Sequence, residues 1–188
     1  MQKICLIEVH LNGLYRDPAY EVRKSLMLQA LVLTLVTNLS SELEVVSFVD
    51  LGKYLGKWYE IAHLPAKFQK GCDETTATYT LLDNGSISVL NKCKKDGKVK
   101  AAKGKAKVVD KTTNAKLKVT FFWPFYGDYW IIRLGEAYDY SVVGTPNREY
   151  LWILSRTPKM DETLFSQLIE FAKLKGFDVG KLIMTRQS

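Results

Sequence analysis

Short stretches of alternating apolar and polar side chains, parted again and again by turn residues, fill most of this chain after residue 53, and few folds can accommodate them. Eight such segments run over 53–62, 74–82, 87–93, 98–109, 115–122, 129–134, 138–143 and 150–156. A period of two is the mark of a pleated strand with one buried face. Asn84-Gly85, Asp96-Gly97, Pro124 and Thr145-Pro146-Asn147 separate them. Connections this short join antiparallel neighbours, because parallel strands need a crossover of a dozen residues or more. No helical pattern interrupts the series, so alternating βαβ units are excluded. Asn84-Gly85 is expected to form a two-residue type I′ turn, which requires positive φ at both positions. In that register Cys93 would face Thr76.

One helix follows the strands. Asp161 is its expected N-cap, Leu164, Leu168, Phe171 and Ala172 share one face, and Gly176 stops it. A short strand at 181–185 ends the chain. The first and eighth segments carry apolar groups on both faces. Trp58, Glu60 and Ala62 alternate with Tyr59 and Ile61; Tyr150, Trp152, Leu154 and Arg156 alternate with Leu151 and Ile153. Strands of that kind must be covered on both sides. Both are covered if they lie side by side in a closed barrel with the helix across their outer faces. The expected fold is therefore all-β: an eight-stranded antiparallel up-and-down barrel, one C-terminal helix packed outside and a short final strand. Such a barrel has room for one small ligand.

The first 41 residues read differently. Arg23 and Lys24 precede an 11-residue apolar stretch at 26–36, and Ser40 and Ser41 follow. This has the outline of a secretory signal. Translation is then expected to begin at Val22 or Met27, with residues 1–21 untranslated. The remainder, 42–188, is the folded domain. Export to a periplasm or outer membrane is expected, or secretion if the source is not bacterial. No cysteine lies directly after the apolar stretch, so a lipid anchor is not supported.

Apolar residues make up 47% of the chain and charged ones 25%, which is globular composition. The formal net charge is +7. Residues 92–111 hold nine lysines against Asp96 and Asp110, enough to account for the whole excess. A solvated outer wall and an attraction to anionic membrane surfaces both suit this stretch. Nucleic acid does not, for want of arginines interleaved with aromatics. With only His10 and His63, and cysteines lacking zinc-ligand spacing, no metal centre or other cofactor is expected.

Particular residues sharpen this reading. Gly56-Lys57-Trp58-Tyr59 matches the Gly-x-Trp-Tyr motif of the first lipocalin strand. The run at 138–143 (YDYSVV) sits where the second lipocalin motif falls, and Leu154-Ser155-Arg156 matches the third. From about Asp50 onward the chain resembles the lipocalin family. The runs ATY at 77–79, VLN at 89–91 and YLWILSRTP at 150–158 narrow the resemblance to bacterial outer-membrane lipocalins, apolipoprotein D and the plant temperature-induced lipocalins. It implies a barrel closed at one end by Gly56, Trp58 and Arg156, with the guanidinium stacked on the indole.

Alternation and the matching family positions together give the expected cavity lining: Glu60, Tyr79, Leu81, Val89, Asn91, Val119, Phe121, Ile131, Tyr140 and Trp152. The resemblance points to a fatty acid or a lysophospholipid as ligand; core packing of the same side chains is the alternative. Cys72 and Cys93 flank the second hairpin, and a disulfide between them needs a bulge or a curl of the chain before that strand. A few lipocalins are isomerases that use a cavity thiol, which is the alternative function. His63, beside Pro65, is expected on the solvated rim. The aromatic run at 121–126 (FFWPFY) could dock a membrane or a second copy at the mouth, giving a homodimer, or pack on its own barrel.

Overall fold

A computed structural model describes residues 22–24, 27 and 42–187. The chain divides into two units, Met1–Ser41 and Glu42–Ser188, and the account below concerns the second. The expected cleavage point near Ser41, almost all of the apolar signal stretch, Cys5 and His10 lie outside the described residues.

Nine strands follow one another: β1 (Gly56–His63), β2 (Asp73–Leu81), β3 (Ile87–Lys95), β4 (Lys98–Val108), β5 (Lys116–Phe122), β6 (Phe125–Leu134), β7 (Tyr140–Gly144), β8 (Leu151–Ser155) and β9 (Ile183–Met184). Each of the first seven pairs antiparallel with the next, and β8 returns to β1, so the sheet closes into an up-and-down barrel; β9 adds to β1. Residues 53 and 54, expected in the first strand, belong instead to a helical turn, α1 (Leu51–Tyr54), capped by the Asp50 side chain. Gly56 then takes φ +91°, open to glycine at little cost, and turns the chain into β1. Helix α2 (Glu162–Leu174) begins where the sequence places it: the Asp161 carboxylate accepts from the Leu164 N–H at 2.9 Å.

The Asn84-Gly85 turn differs from expectation. Gly85 has positive φ but Asn84 does not, and the Leu82 carbonyl accepts from the Gly85 N–H. The loop therefore has three residues, a tight turn followed by a left-handed glycine. This slips the β2–β3 register by one residue, so Thr76 faces Lys92 rather than Cys93. Asp96 and Gly97 do both take positive φ and make a two-residue hairpin.

Two apolar cores result. Trp58, Tyr79, Val89, Ala106, Leu117, Ile131, Val143 and Leu154 fill the inside of the barrel, with Tyr54 and Val49 beneath them. Outside, Leu168 and Ala172 of α2 pack with Ile61, Val142, Leu151, Ile153 and Phe177 on the wall. The first and eighth strands thus have apolar cover on both faces, as their sequences require.

A bulge in β1 separates Glu60 from Ala62. It corrects the simple alternation: Ala62 joins Ile61 in the outer core, while His63 pairs with Trp152 on the inner side. The pairing of β1 with β2 stops at Tyr59 and Thr76. Beyond that level the C-terminal tail bridges the two strands. Thr185 N–H donates to the Ile61 carbonyl, Glu74 N–H donates to the Arg186 carbonyl, and the Gln187 amide donates to the carbonyls of Glu60 and Thr75.

Candidate ligand-binding site

Inner-facing side chains fall into two tiers. In the half near α1, Trp58, Tyr79, Val89, Ala106, Leu117, Ile131, Val143 and Leu154 are buried. Toward the other end, Ala77, Asn91, Ala102, Val119, Phe121 and Trp152 keep accessible surface. Trp58, Tyr79 and Leu117 close the lower half, whereas the upper half keeps access to solvent past Ala77 and Ala102. Gly104 shows how tight the wall is: a Cβ there would lie 2.5 Å from the Thr120 carbonyl oxygen and under 3 Å from the Phe121 ring. The result is a cup with a plugged base and an open mouth.

The plug is built around Trp58. The Arg156 guanidinium lies 3.8 Å from its ring centroid and donates to the carbonyls of Lys53, Tyr54, Lys57 and Tyr138. Lys53 and Tyr54 end α1, Lys57 lies near the start of β1 and Tyr138 lies in the turn between β6 and β7, so one side chain ties three segments together. Trp58 Nε1 donates to the Tyr54 carbonyl at 2.9 Å.

Above the plug lies a chain of hydroxyls. Ser141 meets Tyr54 at 3.1 Å, Tyr54 meets Tyr129 at 2.8 Å, and Tyr129 meets Tyr79 at 2.8 Å. Burial pushes the Tyr54 phenol up to about 12 and raises those of Tyr79 and Tyr129 as well. The cup floor is therefore a set of neutral hydroxyls within an apolar wall.

At the cup's side, both oxygens of the buried Glu60 accept hydrogen bonds: from Thr185 Oγ1 at 2.6 Å and from Gln69 Nε2 at 2.7 Å. Gln69 Oε1 in turn accepts from Trp152 Nε1 at 2.8 Å. His63 is buried here, not on the rim, because the β1 bulge turns it inward. Its Nδ1 contacts the Leu64 carbonyl at 2.7 Å, and its Nε2 lies 3.9 Å from Glu60 Oε1. Thr75 Oγ1 and Asn91 Oδ1 are buried and without a protein partner.

The expected lining residues are thus only partly brought together. Glu60, Asn91, Val119, Phe121 and Trp152 surround the cup. Tyr79 forms part of its floor, and Val89 and Ile131 lie deeper, in the filled tier. Leu81 stands 53% exposed at the plugged end, one hairpin away from the mouth. Tyr140 packs in the outer core, because in β7 it is Ser141 and Val143 that face inward. Sequence reasoning missed Gln69, Thr75, His63 and Thr185. A loop glutamine and a C-terminal threonine carry no local sign of reaching a barrel interior, and the bulge that turns His63 inward has no sequence signature.

Cys72 and Cys93, with Cα atoms 5.4 Å apart, form a disulfide. A bulge between Asp73 and Thr76, where Glu74 has φ +48°, brings them opposite each other. At the mouth, the β5–β6 hairpin exposes Phe122, Trp123 and Phe125, all more than 70% accessible. Among the described residues no group of His, Cys, Asp and Glu is placed to hold a metal, and no helix is long and apolar enough to cross a membrane.

A closed eight-stranded barrel with one plugged end, an open cup and a single outer helix defines a class of small-molecule binding proteins. Residues 49–187 match the family profile of the lipocalin-like domain. The chain belongs to the lipocalin family. It is 42% identical over 165 residues to the outer membrane lipoprotein Blc of Vibrio cholerae, covering 86% of this chain and 96% of that one. Temperature-induced lipocalin-1 of Arabidopsis thaliana is 44% identical over 156 residues, covering 78% and 84%. Apolipoprotein D of Mus musculus is 36% identical over 150 residues, covering 74% and 77%. Insecticyanin from the tobacco hornworm Manduca sexta superposes with a TM-score of 0.66 at 21% identity, covering 79% and 86%, which shows the shared fold.

Proposed function

We propose that this lipocalin carries a single-chain lipid, a fatty acid or a lysophospholipid, in the cup, serving transport, storage or membrane maintenance in the cell envelope. The observation that carries the reading is the two-tier interior. Inner-face positions Ala77, Ala102 and Val119 keep accessible surface toward the end of the barrel away from α1, where β4 extends past its pairing with β5. Relatives whose names include "outer membrane lipoprotein" and "apolipoprotein" support a lipid-linked role and an envelope location.

Magnitudes fit a carrier. Burying a chain of about 16 carbons is worth at most ~12 kcal/mol at ~0.8 kcal/mol per CH₂. Association costs of several kcal/mol leave a dissociation constant on the order of micromolar. Such a protein holds lipids already in water but gains little by stripping them from a bilayer. With Cys72 and Cys93 bonded to each other, a thiol-based isomerase would lack its nucleophile, which favours carriage over catalysis.

The mouth favours contact with an anionic membrane surface. The exposed Phe122, Trp123 and Phe125 stand beside a lysine-rich β4, and aromatic groups flanked by lysines suit a headgroup layer.

Titration of a fluorescent fatty acid tests the carrier reading. Saturable one-to-one binding is expected, and Ala102→Trp, which puts an indole into the cup, should abolish it while leaving thermal unfolding cooperative. Binding unchanged by Ala102→Trp would refute it.

A further inference from the structure

The side chain of Gln69 occupies a position that a ligand would use. Gln69 ends a 3₁₀ turn, Lys67–Gln69, in the loop that crosses the mouth between β1 and β2. Its carboxamide reaches into the cup and makes two bonds of opposite sense. It donates from Nε2 to Glu60 and accepts at Oε1 from Trp152. Glu60 is 4% exposed, and both its oxygens accept from uncharged groups. Among the described residues no Lys or Arg comes within ion-pair distance of it, and His63 Nε2 stands off at 3.9 Å. A carboxylate taken out of water without a cation is costly, and one that meets a charged donor recovers much of that cost. Beside it, Trp152 stacks on Tyr150 at 5.8 Å between centroids, and Tyr150 meets Phe68 at 5.9 Å. Aromatic faces next to an unmatched carboxylate attract a cation.

We propose that the space held by the Gln69 carboxamide, between Glu60 and Trp152, is a subsite for the head of a single-chain amphiphile that carries an ammonium next to an oxygen acceptor. The inference rests on the lipid-carrier reading and refines it. The ammonium replaces Gln69 Nε2 on Glu60, and a phosphate or ester oxygen replaces Gln69 Oε1 on Trp152 Nε1. The Gln69 side chain swings aside about its own torsions while the backbone of the turn stays in place. A ligand whose head is only anionic gains nothing there, because its charge meets that of Glu60.

Two lipids with the same tail and the same phosphodiester isolate the point: 16-carbon lysophosphatidylethanolamine and 16-carbon lysophosphatidylglycerol, each competing against a bound fluorescent fatty acid. The full chain should bind the ethanolamine lipid about tenfold more tightly or better. Glu60→Gln should bring the two to equality, and Gln69→Ala should tighten the ethanolamine lipid relative to the other. Equal affinities for the unaltered protein, or a preference that survives Glu60→Gln, would overturn the subsite and leave the carrier reading standing. If the fatty acid fails to bind and neither lipid quenches tryptophan fluorescence, both fall. Should Glu60→Gln not fold, Gln69→Ala decides: an unchanged ratio of the two affinities overturns the subsite.

Discussion

The Arg156 guanidinium sits over the Trp58 indole with 3.8 Å between its central carbon and the ring centroid, joining the end of β8 to the start of β1. Neither residue faces the cup. Trp58 is fully buried, and Arg156 spends its donors on four backbone carbonyls. The pair fastens the plug on which the cup stands.

Trp58→Ala should therefore destabilise the protein by about 3–5 kcal/mol, the usual cost of removing a large buried aromatic. Arg156→Lys should cost less, about 1–3 kcal/mol, since an ammonium cannot reach the same set of carbonyls or stack as flatly. Urea unfolding measures both. Fatty-acid affinity of the folded fraction should change little, as the plug is remote from the mouth.

The disulfide ties the mouth loop to β3. Reducing it, or replacing both cysteines with serine, removes a cross-link across a sequence separation of 21. A loss of about 3 kcal/mol is expected from chain entropy. Thermal melts with and without reductant measure it, and intact mass confirms the bond.

Alkaline stability should follow the buried tyrosines. Tyr54 is raised to about 12, with Tyr79 and Tyr129 raised as well, all chiefly by burial. A phenol whose folded value exceeds its unfolded one adds stability that is complete below about pH 10 and lost as pH climbs through the folded value. A spectrophotometric titration at alkaline pH should show these tyrosines silent where exposed ones ionise, then ionising together with unfolding.

Membrane contact should depend on the β5–β6 hairpin. Replacing Phe122, Trp123 and Phe125 with serine should abolish co-flotation with vesicles containing phosphatidylserine, without lowering the melting temperature, because all three are exposed. Flotation of the unaltered protein should weaken as salt rises, since the lysines of β4 supply the attraction.

The strand count, the antiparallel order, the outer helix with its Asp161 cap and the Trp58–Arg156 closure were legible in the sequence. The first three follow from local rules: a period of two, turn residues, a capping carboxylate and two adjacent strands apolar on both faces; the closure follows from the resemblance of the runs at 56–59 and 154–156 to the lipocalin motifs. Alternation and the family positions put Asn91, Val119 and Trp152 on the inner face, where the structure also has them, whereas Tyr140 packs in the outer core, because its face depends on which side of β7 meets the helix. His63, expected on the rim just past the first strand, is instead its last residue and faces inward, because a bulge between Glu60 and Ala62 reverses the side chains that follow. Only the tertiary structure decided that Gln69 and Thr185, remote in sequence from Glu60 or from each other, would meet its carboxylate inside the cup. Periodicity reports which face a residue takes, whereas bulges, loop paths and a tail lying between two splayed strands are set by how the whole barrel closes.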